Sequence, residues 1–171
     1  MDTLETRIFG LVISGTFFLI ATYFSRAGQR RIFGVTIASC LLAIYVMGMD
    51  YFAAKMNWWH YPAYVNGYGP IEWYITLGLA YGGALGFVGW RILRRFGLKG
   101  FAIFVIGFTT YGITRDYVIS SVSNIIMFSS GPIPWIADFC SYASALILVQ
   151  LILLVLVGTP KSDKLVHIKK S

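Results

Sequence analysis

The chain has 171 residues, 57% of them hydrophobic and 12% charged, with a net charge of +7 and a mean hydropathy of +0.71. Soluble domains carry about 25% charged residues, so this composition excludes a soluble fold and predicts an all-α integral membrane protein. The positive charge does not point to nucleic acid, because of where it falls along the chain.

A membrane span needs about 20 apolar residues, and five segments meet that length: Ile8–Phe24, Ile32–Phe52, Ile71–Trp90, Phe101–Phe128 and Ile133–Val157. Asp2 and Glu5 precede the first, where a signal peptide would be basic, and no small-residue cleavage site follows. It therefore reads as a retained span. Most of the 14 Lys and Arg fall in three places. Arg26, Arg30 and Arg31 follow the first span, and Arg91, Arg94, Arg95 and Lys99 follow the third. Lys161, Lys164, Lys169 and Lys170 lie in the tail, 158–171. The opposite side has Arg7 and Lys55. The positive-inside rule then places the N-terminus outside and the C-terminus in the cytoplasm of a multi-pass protein of the cell (inner) membrane. The basic tail either meets anionic membrane lipids or acts as a topology signal alone.

The chain also reads as a repeat within a single membrane-embedded domain, 1–171. Tyr45, Asp50 and Tyr51 recur as Tyr111, Asp116 and Tyr117. Gly69-Pro70-Ile71 with Trp73 recurs as Gly131-Pro132-Ile133 with Trp135. Helices two and three (32–90) would match helices four and five (101–157) as a parallel repeat about an axis along the membrane normal, with helix one (8–24) as an addition.

The prolines suit helix first turns, which puts Glu72 in the first turn of helix three and Asp138 one turn further into helix five. With Asp50 and Asp116 approaching from helices two and four, four carboxylates converge in the outer half of the bundle. Ionisable groups inside spans are costly and point to function by default. Arg115 and Asp116, about 100° apart on a helix, need not pair with each other; Arg115 has Glu72 and Asp138 as other partners. A structural ion network is an equal reading of this cluster. Glu72 lies among Trp58, Trp59, Trp73 and Tyr74, where an acid can protonate an alkene or carbonyl and aromatic faces can stabilise a cation. Its alternative role is to cap helix three. Trp58, Trp59, Tyr61, Trp73, Tyr74, Arg115 and Asp138 are the candidate substrate-binding residues, although Trp and Tyr also populate any membrane interface. Gly78, Gly82 and Gly86 recur every four residues, as in close helix packing. With His60 and His167 as the two histidines and Cys40 and Cys140 far apart, no metal site and no cofactor are expected.

The run from Asp50 to Glu72 resembles the lycopene cyclase domain family of small membrane carotenoid cyclases. The matching residues are Asp50, Ala53, Trp59, Tyr61-Pro62 and Pro70-Ile71-Glu72. Trp73 stands where that family carries a second acid, and Pro134 where Glu72 aligns in the second repeat. The resemblance implies cofactor-free, acid-catalysed ring closure at the end of a polyene. Glu72 would be the proton donor, and Asp50 and Asp116 would position it or accept a proton. The expected function is then an intramembrane cyclase or isomerase acting on a carotenoid or other isoprenoid, within carotenoid biosynthesis, as a homo- or hetero-oligomer. The alternatives are a non-catalytic small subunit of a larger membrane complex, a lipid- or pigment-binding protein, or a transporter.

Overall fold

The computed structural model describes residues 4–161. Asp2, His167 and the tail lysines Lys164, Lys169 and Lys170 lie outside the described residues. The elements in order are α1 (Leu4–Ser25), α2 (Gln29–Lys55), β1 (Trp59–His60), α3 (Ile71–Leu77), a π-helical turn (Gly78–Ala84), α4 (Leu85–Val122), β2 (Met127–Phe128) and α5 (Ile133–Val157). Among the described residues four helical runs are long and apolar enough to cross a membrane: Arg7–Ser25, Gln29–Lys55, Ile71–Val122 and Ile133–Val157.

Two expected spans, Ile71–Trp90 and Phe101–Phe128, thus share one helical run of 52 residues. Straight, it would extend about 78 Å at 1.5 Å per residue, more than twice the ~30 Å hydrocarbon core. It is not straight. Gly97 is non-helical, with φ 65° and ψ −162°, a conformation open to a residue without Cβ. Beyond it the chain folds back, so that Arg115 donates to the Tyr81 hydroxyl at 3.0 Å across 34 positions. The expected connection Arg91–Gly100 therefore narrows to a single non-helical residue between two arms. The second arm ends at Val122, six residues before the expected end at Phe128. Ser123 is the cause: its hydroxyl donates to the Ile119 carbonyl at 2.7 Å and its backbone is extended, a local bond that competes with the helix.

The main core joins Val35, Ala38 and Leu42 of α2 to Phe87 and Trp90 of α4 and to Ala145, Val149, Leu153 and Val157 of α5. The glycine stripe lets α2 and the π-helical turn meet backbone to backbone. A Cβ at Gly82 would stand 2.6 Å from the Ser39 Cα, and no rotamer change relieves a clash with main chain. Gly82→Leu should therefore destabilise the protein by about 1–3 kcal/mol or more, read as a lower thermal midpoint in detergent. At the basic end of the bundle, Arg30 Nε donates to the Leu156 carbonyl at 3.0 Å and Arg31 to that of Ser25 at 2.9 Å. These groups close helix C-termini that would otherwise leave carbonyls unpaired. At the other end β1 pairs antiparallel with β2, Trp59 opposite Phe128 and His60 opposite Met127. This short ladder ties the connection after α2 to the connection after α4.

Candidate functional site

A cavity of about 310 Å³ lies at the β1–β2 end, walled by all the long helices. Most of its wall is apolar: Leu42, Val46, Met49, Leu77 and Ile119 contribute. Into it project three carboxyl groups, Asp50, Asp116 and Asp138, each 6% exposed, and the guanidinium of Arg115.

The three carboxyls differ in what surrounds them. Asp50, on the second-last turn of α2, is held by neutral donors. Trp59 Nε1 donates to its Oδ1 at 3.0 Å, and the hydroxyls of Tyr61 and Tyr74 also bond to it. Tyr74 is itself oriented by the Gly69 N–H, which donates to its hydroxyl at 3.0 Å. Burial, and after it the nearby Asp50 charge, pushes the Tyr61 hydroxyl well above its usual range, so it keeps its proton and acts as a donor. Trp59→Phe would leave Asp50 buried with one donor fewer and should cost about 1–3 kcal/mol, measured as a shift in thermal or denaturant unfolding.

Asp116 is paired with a cation. Arg115 Nε and Nη2 donate to its Oδ1 at 2.8 and 2.6 Å. Tyr142 donates to its Oδ2 at 2.7 Å and accepts from Arg115 Nη2 at 2.5 Å. Sequence neighbours on a helix need not meet, yet here they do. The long stem of Arg115 bends its head back towards the cavity, where Tyr81 and Tyr142 each accept one further N–H group. Arg115 therefore pairs with Asp116, and among the described residues it forms no ion pair with Glu72 or Asp138.

Asp138, on α5, has a buried Oδ2 with no hydrogen-bond partner among the described residues. It faces the cavity one helical turn before Tyr142.

Of the residues expected from sequence, the cavity brings together Asp50, Asp116, Asp138, Arg115, Trp59, Tyr61 and Trp73. Tyr74 stands just behind, against Asp50. Trp58 packs edge-on to Phe52 at 5.3 Å and is not part of the cavity wall. Glu72 is also absent from the wall; its side chain is 34% exposed and its Oε2 lies 3.9 Å from Arg7 Nη1. Sequence reasoning missed Tyr81 and Tyr142. The spacing of Tyr142 four residues after Asp138 placed both on one helix face and was the available signal. Tyr81 had none, since its direction is set by the π-helical turn that carries it.

The arrangement holds one free carboxyl, one carboxylate with neutral donors and one ion pair around an apolar space with tryptophan and tyrosine walls. That is suited to moving a proton onto and off a substrate that brings no polar handle of its own. No family model, curated protein or solved structure matches this chain.

Proposed function

We propose that the protein is an intramembrane acid–base enzyme that cyclises or isomerises a carotenoid or other isoprenoid lipid. The observation that carries this reading is the Asp138 carboxyl, buried on the wall of an apolar cavity with an oxygen that has no hydrogen-bond partner among the described residues. Asp50 and Asp116 have donors or a cation to balance a negative charge; Asp138 Oδ2 has none, and an unbalanced buried charge is costly. This suits Asp138 to carry a proton and give it up.

In this mechanism the Asp138 O–H bond breaks and its proton adds to a terminal C=C bond, leaving a carbocation. The faces of Trp59, Trp73 and Tyr81 stabilise that cation through the ring quadrupole. Electrons of a second double bond close the ring or shift the bond. A C–H bond then loses its proton to the Asp50 carboxylate, which Trp59, Tyr61 and Tyr74 hold in place. Substrate and product are isomers, so no co-reactant or cofactor is needed. The cavity is at the low end of the ~300–1,000 Å³ usual for ligand sites. It takes one end of a long polyene, and the remainder lies outside.

The reading includes five crossings, α4 supplying two through its reversal at Gly97. The basic end of the bundle then faces the cytoplasm and the cavity end faces outward, in the inner membrane. The test is mass spectrometry of lipids and pigments extracted from the purified protein. A bound polyene or other isoprenoid is the expected result. Phospholipid alone, together with a stoichiometric protein partner, would overturn the reading in favour of a non-catalytic subunit.

A further inference from the structure

A substrate that lives in lipid has to reach a cavity walled by helices. The first part of α1 is one of those walls. Arg7 and Gly10 are the α1 residues on the cavity, while their neighbours Ile8, Phe9 and Val12 are 51%, 64% and 60% exposed on the outside of the bundle. One helix thickness therefore separates the cavity from lipid there. Gly10 puts no side chain into the seam with α3. A Cβ added to it would meet Thr76 Cγ2 at 3.7 Å, ordinary contact distance.

The two ends of α1 are held differently. Its C-terminal half is pinned by the Arg91 guanidinium on the Phe24 carbonyl, by Arg31 on the Ser25 carbonyl and by Phe18 packed on Phe87. In its first turns Arg7 reaches Glu72 of α3 at 3.9 Å and lies 5.9 Å from the centre of the Tyr64 ring. A part-exposed ion pair at that distance is a weak tie.

We propose that the α1–α3 seam is the port through which a lipid-soluble substrate passes from the membrane into the cavity. Gly10 sets its bore and so the size of the end group admitted, and the Arg7–Glu72 pair latches its edge. The proposal rests on the reading of the cavity as a site for an apolar lipid. It also gives Glu72 a role that chemistry in the cavity does not. Because α1 is anchored at its far end, separation at the seam needs the latch to open and α1 to tilt, with the main core left intact.

The test uses the full chain with Cys40→Ser and Cys140→Ser, and with Ser141→Cys on the cavity wall as a reporter. Gly10→Cys with Thr76→Cys is designed to close the seam by a disulfide, since a Cβ at position 10 would stand 3.8 Å from the Thr76 Oγ1, the position a cysteine sulfur would take. The probe is pyrene maleimide partitioned into proteoliposomes, with labelling at residue 141 read by mass spectrometry. Oxidation of the pair should slow labelling at least tenfold, and reduction should restore it. Glu72→Gln, in the chain without the pair, should speed labelling severalfold. Gly10→Trp should slow it and Gly10→Ala should not, which keeps the proposal testable if the cysteine pair fails to fold. Equal labelling in the oxidised and reduced states, or no labelling at 141 in the reduced protein, overturns the port. Turnover takes no part in this readout. An open seam in a protein that binds no isoprenoid would sink the isoprenoid reading alone, and substrate turnover that survives the lock would sink the port alone.

Discussion

Asp138→Asn should reduce turnover by a factor of about 10²–10⁴, the range contributed by a positioned general acid, while the protein stays folded in the membrane. Asparagine keeps the shape of the side chain and removes the transferable proton. Because Asp138 Oδ2 has no hydrogen-bond partner among the described residues, the substitution breaks no bond described at that atom. Thermal stability should hold, since a protonated, neutral carboxyl is replaced by a neutral amide of the same shape. Activity and stability are thus expected to move independently, which a merely structural role would not produce. The measurement is product formation from a polyene substrate in proteoliposomes beside a thermal melt of the same preparation. A variant that keeps a tenth or more of its activity would remove Asp138 from the chemistry. Glu72→Gln is the informative companion. The sequence reading expects it to abolish turnover, whereas a latch at the α1–α3 seam predicts that kcat survives and that uptake changes.

The second large effect concerns the ion pair. Arg115→Leu would leave Asp116 buried without its cation and strip donors from Tyr81 and Tyr142. Removing one partner of a buried pair costs about 3–5 kcal/mol. The lower part of that range applies here, because the Arg115 side chain is 35% exposed. The double variant Arg115→Met with Asp116→Leu should recover most of the loss, since an apolar pair of similar volume is often neutral in such a site. A double-mutant cycle in detergent unfolding measures the coupling directly. Additive losses in the two single variants would show that the pair, despite its 2.6 Å contact, carries no coupling energy.

The class of fold was legible because composition alone demands it. The helical content of the five expected segments follows from runs of apolar residues at spanning length. What the sequence could not show was how the third and fourth segments join. The stretch Arg91–Gly100 looks like a loop by its charge, yet Arg and Lys are good helix formers, and a single glycine at positive φ does the turning. The candidate site was half legible. Asp50, Asp116, Asp138 and Arg115 could be singled out because a charged group inside a span is rare and expensive. Their different surroundings were not visible, because they depend on which tyrosine and tryptophan reach each carboxyl from another helix. Glu72 drew attention through its aromatic neighbours in sequence. On α3, however, Trp73 turns to the cavity and Glu72 turns to Arg7, as expected for adjacent residues about 100° apart.

The ladder between Trp59–His60 and Met127–Phe128 has a consequence for how the protein is made. Strand β1 leaves the ribosome well before its partner, since α3 and all of α4 are synthesised in between. Until β2 arrives, the indole that bonds to Asp50 sits on a segment with no sheet partner, and Asp116 and Tyr142 have yet to join the opposite wall. The first half of the chain already holds the three donors to Asp50, from Trp59, Tyr61 and Tyr74, before the ladder that fixes Trp59 can form. A chain truncated after α3 should keep those donors and lack the strand that pairs with Trp59 and His60, so the unpaired β1 would mark it as incomplete.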